Sequence, residues 1–361
     1  MDLSRFRDPE LAGRLVEVIA RLAPDRDVNL MEVCGTHTVA IARGGLPSVL
    51  PEQVHLLSGP GCPVCVTANR DIDSIIALAR RDDVTLTTFG DMVRVPGSSS
   101  SLLDEKAAGH DVRIVYSPLD ALAVARDNPD REVVFAGVGF ETTTPLIAAA
   151  IRHARHGGLD NFSVYCAHKT VPHTLEMLLN DPEVNIDAFI LPGHVSTIIG
   201  LAPYEFLARD YHVPGVVTGF EPVDVLEGIA MIVRQLAEGR AAIENAYTRG
   251  VRAEGNPTAL AAIDEIFEPC DAVWRGIGLI PMSGYRIRDE YACYDAQRRL
   301  EPTPEPTVEP AGCRCGDVLR GVIRSEDCPL FGGACTPEHP VGPCMVSSEG
   351  SCAAHYRYRS V

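Results

Sequence analysis

Basic residues are scarce in this chain. Of its 361 residues, 32 are Lys or Arg against 49 Asp or Glu, a net charge of −17, and only Lys106 and Lys169 are lysines. Affinity for a polyanion comes mostly from Lys and Arg neutralising phosphates, so this balance argues against general nucleic-acid binding. Long apolar runs are missing too: nothing approaches the roughly 18 apolar residues that a membrane span needs. The opening segment, MDLSRFRDPE, is charged from its second residue and has no apolar core of the kind a secretory signal peptide carries. Neither a P-loop nor a dinucleotide fingerprint occurs. These absences predict a cytoplasmic protein, and such a protein has no oxidising compartment to account for what is abundant here, twelve cysteines. In a reducing compartment, clustered Cys bind metal or do redox work more often than they form structural disulfides.

An apolar fraction of 46% is ordinary for a globular protein, and 361 residues exceed what one core usually serves. From about residue 28 to 235, β-branched runs end in Gly- or Pro-containing turns and amphipathic helical patterns follow. The expected strands are 29–33, 54–57, 84–88, 112–116, 132–136, 162–166, 188–191 and 215–218. Expected helices include 9–22, 69–80, 144–155, 172–179, 222–238 and 257–267. Short apolar strands alternating with helices indicate βαβ units and parallel sheets covered on both faces. One large sheet or a barrel fits the pattern as well. The polar stretch DNPDRE at 127–132 favours two doubly wound α/β lobes, 1–128 and 129–240, with that stretch as hinge. A third unit, 241–361, is expected to be irregular after its helix. It contains EPTPEPTVEP at 301–310, whose four prolines make an extended linker. Six of the twelve cysteines follow in the last fifty or so residues. A segment that short buries little apolar area, so a metal centre would supply stability that its core cannot.

In MEVCGTHT, Cys34 falls where a strand stops, and Thr36 or Thr38 can cap the next helix. Ligands of parallel α/β sheets collect beyond the carboxyl ends of strands, so Cys34 is placed to face a cleft. A thiol near a helix N-terminus with His37 three residues on is expected to have a lowered pKa. In SGPGCPVCV, Cys62 and Cys65 can close a disulfide, supply two metal ligands, or relay electrons. No second C-x-x-C follows at zinc-ribbon spacing, which tilts the reading towards redox or a distant partner ligand. In GVGFETTTP, Gly137 to Pro145, the glycines free the backbone after a strand and Thr142, Thr143 and Thr144 offer hydroxyls before a helix. Glu141 in that turn is a candidate acid/base group or hydrogen-bond partner. Further turns put Asp91, His168 and Lys169, His194, and Glu221 at strand ends. In the tail, Cys315, Cys328, Cys335 and Cys352 are separated by twelve, six and sixteen residues. Irregular thiolate spacing of this kind suits a four-Cys iron–sulfur site, and it suits structural zinc almost as well. Cys313 and Cys344 are surplus, and either can displace one of the four. Cys166, Cys270 and Cys293 read as ordinary thiols.

Taken together, CGTHT at Cys34–Thr38, GPGCPVC at Gly59–Cys65, FGDMVRVPGS, GFETTTP, LPGHVSTIIG, GFEPVDVL and the tail CGDVL…CPLFG…CTP…MVSSEGSCAA resemble the HypD family of [NiFe]-hydrogenase maturation factors. The resemblance covers nearly the whole chain. It implies a scaffold on which the Fe(CN)₂CO group is assembled together with the small chaperone HypC. Cyanide would come from HypE, itself supplied by HypF, and the product would go to the hydrogenase large subunit. It further implies that Cys34 helps hold the iron and that Cys62 and Cys65 are a thiol/disulfide couple beside it. Cys315, Cys328, Cys335 and Cys352 would then carry a [4Fe–4S] cluster that delivers electrons. Cyanide transfer to iron needs a soft thiolate, and Thr142, Thr143 and His194 are hydrogen-bond donors suited to the cyanide nitrogens. Two other functions stay open at this point. One is an iron–sulfur-dependent thiol–disulfide reductase of a protein partner. The other is an α/β enzyme that binds a phosphorylated ligand at the GFETTTP turn and has a zinc-stabilised tail.

Overall fold

The computed structural model describes residues 4–358. All eight expected strands are present, within a residue or two of their expected ends. They are β1 (Val28–Glu32), β2 (Val54–Ser58), β3 (Val84–Thr88), β4 (Val112–Ile114), β5 (Glu132–Gly137), β6 (Phe162–Cys166), β7 (Ala188–Pro192) and β8 (Gly215–Thr218). Three more follow: β9 (Ile243–Asn245), β10 (Phe267–Trp274) and β11 (Gly278–Ile287). The helices also form where periodicity placed them, because their ends carry strong local signals. Asp8 caps Pro9–Leu22 by accepting from the Glu10 and Leu11 N–H groups, and Asn256 caps Pro257–Ile266. No helix among the described residues is long and apolar enough to cross a membrane.

Two parallel sheets form two α/β lobes, but the chain does not divide between them at 127–132. One sheet has the order β2-β1-β7-β8-β9 and the other β4-β3-β5-β6. The four-stranded lobe is therefore inserted into the five-stranded one: the chain leaves after β2, builds β3 to β6, and returns at β7. DNPDRE is only the loop between the helix Pro118–Asp127 and β5, inside the inserted lobe. Local pattern places strands but does not say which strand lies beside which, and β1 pairs with both β2 and the distant β7. Each sheet is covered on both faces. Ile72, Ile76 and Leu86 pack on one side of the four-stranded sheet, while Leu122, Phe135 and Ile151 pack on the other. On the five-stranded sheet, Leu30, Ile190 and Ile229 pack on one face and Met31, Phe189 and Leu191 on the other.

The expected third unit is also revised. Its start, β9, completes the five-stranded sheet, and the stretch expected to be irregular is an antiparallel hairpin, β10–β11. Burial alternates from Glu268 to Val273 in β10, between buried Phe267 and Trp274, but the register shifts between Cys270 and Ala272 and Pro269 masks the strand signal. Residues 301–310 have no helix or strand, as expected of a linker, yet they are fastened down. Asn69 donates to the Val308 carbonyl at 2.7 Å and Ser99 donates to Glu305 at 2.5 Å. The Cys-rich tail shares one core with the lobes: Cys315, Cys344, Met345 and Ala353 pack in the same cluster as Met31, Cys65, Phe140 and Trp274.

Candidate functional site

Because all strands within each of the two larger sheets run parallel, their carboxyl ends, and the loops that follow, gather on one side. Cys34 follows β1 and adopts extended backbone before the helix Gly35–Arg43. The loop after β2 lies directly against it: the Gly35 N–H donates to the Gly61 carbonyl at 3.0 Å. A Cβ on Gly61 would sit 2.1 Å from the Cys34 nitrogen, so only glycine permits this approach. Beneath Cys34 lies a buried carboxyl, Glu32. It accepts from the Cys34 N–H at 2.9 Å and from the Thr38 hydroxyl, and burial pushes its pKa up to about 7.

The expectation of a lowered Cys34 pKa is overturned. Burial pushes this thiol up to about 12, and the carboxyls of Glu32 and Glu349 act in the same sense. The backbone N–H groups of His37 and Thr36 pull the other way, but too weakly to prevail. His37 cannot help, because its ring turns away. Nε2 donates to the Gly219 carbonyl at 2.9 Å, the Thr218 hydroxyl lies equally near, and burial pushes the imidazole down to about 4. A neutral His37 with a proton on Nε2 leaves Nδ1 as a buried acceptor without a hydrogen-bond partner. Phe220 is stacked between His37, at 4.7 Å between ring centroids, and the exposed His194, at 3.9 Å. The structure thus brings His37 and His194 together through an aromatic ring.

The inserted lobe contributes Asp91 after β3 and Glu141 after β5. Glu141 is buried; one oxygen accepts from the Val171 N–H at 3.0 Å, the other has no partner, and burial pushes its pKa up to about 7. Tyr204, fully buried, senses both Glu141 and Cys34, and burial raises its phenol well above the ordinary value. Thr142 is exposed, whereas the hydroxyls of Thr143 and Thr144 donate back to the Phe140 carbonyl at 3.1 and 2.9 Å. The tail bridges the two lobes. Thr36 donates to the Glu349 carboxylate at 2.6 Å, and Ser347 and Ser348 donate to Asp91 at 3.3 and 3.4 Å.

Cys62 and Cys65 are joined as a disulfide at the start of the short helix Pro63–Val66, and both are buried. The tail helix Pro343–Val346 lies beside them, with the Cys65 sulfur 3.9 Å from the Pro343 carbonyl oxygen. Beyond that helix the tail cysteines converge. Cys315, Cys328, Cys335 and Cys352, the four expected together, line one small cavity with Leu330, Phe331 and Met345. Cys313 lines it as well, its sulfur 3.3 Å from that of Cys315. Cys344 is fully buried, and its thiol senses both Cys315 and Cys352, which together with burial push its pKa well above the ordinary value. Among the described residues no three His, Cys, Asp or Glu side chains are set to hold a single metal ion. Sulfur donors spread around an apolar wall are the chemistry of soft metals and of iron–sulfur groups.

Sequence reasoning missed Glu32, Tyr204, Phe220 and Glu349. Glu349 lies in MVSSEGSC, where flanking cysteines draw the attention. Glu32 is a charged residue inside an otherwise apolar strand, which was a usable signal.

A family model described as HypD, hydrogenase formation hypA family, matches residues 10–359. The hydrogenase maturation factor HypD of Rhodobacter capsulatus is 50% identical over 366 aligned positions, covering 98% of this chain and 97% of that one. The HypD of Rhizobium leguminosarum bv. viciae is 49% identical, covering 99% and 95%, and that of Escherichia coli K12 is 45% identical, covering 99% and 98%. By the extent and evenness of these matches, the chain belongs to the HypD family.

Proposed function

We propose that this chain is the scaffold on which the Fe(CN)₂CO group of [NiFe]-hydrogenase is assembled, working in the cytoplasm with a HypC-type chaperone. A role in hydrogenase maturation follows from its family. Cyanide would arrive from HypE, charged by HypF, and the finished group would pass to the hydrogenase large subunit. The observation that carries this reading is the tail run from Pro343 to Cys352. Within ten residues it touches the Cys65 sulfur, supplies Cys352 to the tail cavity, and lays Glu349 over the helix that begins at Cys34.

Cys34 is the ligand for the incoming iron, which is the substrate here; metal binding displaces the proton that burial otherwise keeps on the thiol. Glu32 and Glu141, both pushed towards pH 7 by burial, can hold or yield a proton at neutral pH. His194, beside Phe220, offers a donor for a ligand nitrogen. Opening the Cys62–Cys65 disulfide consumes two electrons and two protons and yields two thiols. Cys315, Cys328, Cys335 and Cys352 would hold a [4Fe–4S] cluster, with Cys313 and Cys344 in reserve. When bound, that group would supply electrons one at a time. Burial of Cys62 and Cys65 argues against the alternative of a reductase acting on a protein partner, which must reach the sulfurs.

Infrared spectroscopy of the protein purified anaerobically with HypC tests the reading. Bands of iron-bound cyanide and carbon monoxide are expected, lost in Cys34→Ala while cluster absorbance persists. A band-free wild-type complex, or bands that survive Cys34→Ala, would overturn it.

A further inference from the structure

Arg275 has no part in the function described so far. It follows Trp274 at the end of β10, and its N–H donates at 2.9 Å to the carbonyl of Val66, the last residue of the helix that holds Cys65. One residue on, Gly276 meets Gly316 so closely that a Cβ on Gly276 would lie 2.4 Å from the Gly316 Cα. Arg275 is thereby pinned between the dithiol helix and the tail turn that carries Cys313 and Cys315. Its side chain is 4% exposed, and its Nε lies 3.3 Å from the carboxylate of Glu309, which is 57% exposed. Both Nη atoms are buried and have no hydrogen-bond partner.

A buried donor left unpaired is destabilising, and more so when it is charged. Breaking up a buried charge pair is costlier still, so a guanidinium held this way calls for an anion within reach. Glu309 sits at the Nε edge and mostly in solvent. On the tail side, Gly276 meets the turn that carries Cys313 and Cys315, and the Cys313 sulfur senses the Arg275 charge. Guanidinium is suited to this task because it stays charged and presents several donors in a fixed plane.

We infer that Arg275 directs its free Nη donors at the sulfurs of the tail centre and favours that centre's reduced form. This rests on the reading that the tail cysteines hold an iron–sulfur group. Reduction adds one negative charge to such a group, and a fixed cation with N–H donors stabilises the more negative state. The Arg275 backbone is anchored to Val66 on one side and, through Gly276, to the tail turn on the other, so the residue lies between the centre and the helix that holds the dithiol.

The test is a reductive titration of the full-length, anaerobically reconstituted protein, followed by paramagnetic resonance of the cluster. Arg275→Gln is expected to shift the reduction equilibrium about tenfold towards the oxidised form, which is ~59 mV for one electron. Arg275→Lys keeps the charge and is expected to recover part of that shift. Glu309→Gln, an exposed change that leaves folding intact, removes a neighbouring negative charge and is expected to raise the potential. That opposite sign decides the matter if Arg275→Gln fails to fold. A cluster whose potential ignores both Arg275→Gln and Glu309→Gln overturns this inference alone. A wild-type chain that takes up no cluster overturns the reading of the tail, and this inference with it.

Discussion

The Thr36 hydroxyl donates to the Glu349 carboxylate at 2.6 Å, across 313 residues of sequence. That bond joins the helix behind Cys34 to the segment between Cys344 and Cys352. Gly35 makes the approach possible, since a Cβ there would lie 2.6 Å from the Glu349 backbone oxygen.

Loss of this clamp should expose the thiol. A hydrogen bond to a charged group contributes about 1.5–3 kcal/mol, so Glu349→Ala should raise the population of locally open molecules at least about tenfold. Iodoacetamide labelling of Cys34 in the native, metal-free protein, followed by mass spectrometry, reads that population. An unchanged labelling rate would mean that the segment is held in place by other contacts.

The close approach at Gly61 leads to a separate expectation. Gly61→Ala would drive a methyl group into the Cys34 backbone nitrogen, and the β2 loop must move to relieve it. Backbone clashes of this kind belong to the large-effect class, about 3 kcal/mol or more. Denaturant unfolding should show that loss. Gly109→Ala, where a Cβ meets nothing within 4 Å but φ is +101°, should cost less.

The tail ligands can be sorted by substitution. Cys328→Ala should bleach the cluster absorbance and loosen the tail, because Cys328 lines the cavity. Cys344→Ala should leave the absorbance in place, since Cys344 is fully buried but is not among the residues that line the cavity. If Cys344→Ala bleaches and Cys315→Ala does not, the ligand set must be redrawn.

Acid should act on the protein partly through His168. Its ring is buried against Phe267, with Nδ1 3.3 Å from the Cys166 sulfur and the Lys169 charge close by, and burial pushes its pKa down to about 3. In the unfolded chain the same ring takes a proton near pH 6.5. Between those values the unfolded state binds the extra proton, so stability falls as pH drops from about 6.5 towards 3. His168→Gln lacks that proton, and its stability should fall less steeply over the same range. Chemical denaturation of both proteins at a series of pH values checks this; parallel curves would exclude His168 as a contributor.

Strand and helix positions were accessible to sequence reading because each rests on local features: an apolar run, a capping Asp8 or Asn256, a Pro at the first turn. Sheet order was not, since nothing in residues 28–32 records that they will lie beside residues 188–192. The same distinction governs the site. Cys34, Cys62, Cys65 and the tail cysteines declare themselves by residue type and spacing; the tail set lines one cavity, and Cys65 lies beside the helix Pro343–Val346. Their environment does not declare itself. The helix terminus beside Cys34 suggested a thiolate, but burial and two carboxyls outweigh it, and His37 spends its proton on Gly219. Residues such as Glu349 and Arg275 acquire meaning only once distant segments meet.

The insertion of one lobe within the other also sets an order of events during synthesis. The β3–β6 sheet is complete once Cys166 has been made, whereas Asn29 must wait for Asp187, 158 residues later, to receive its N–H. Domains fold as their sequence becomes available, and non-local pairings come last. As the chain leaves the ribosome, the inserted sheet can therefore pair before β1 meets β7, although one face of that sheet waits for Ile263, Phe267 and Tyr291 to cover it. The clamp at Glu349 can close only after residue 349 has been made, so the buried thiol belongs to a chain that already carries its Cys-rich segment.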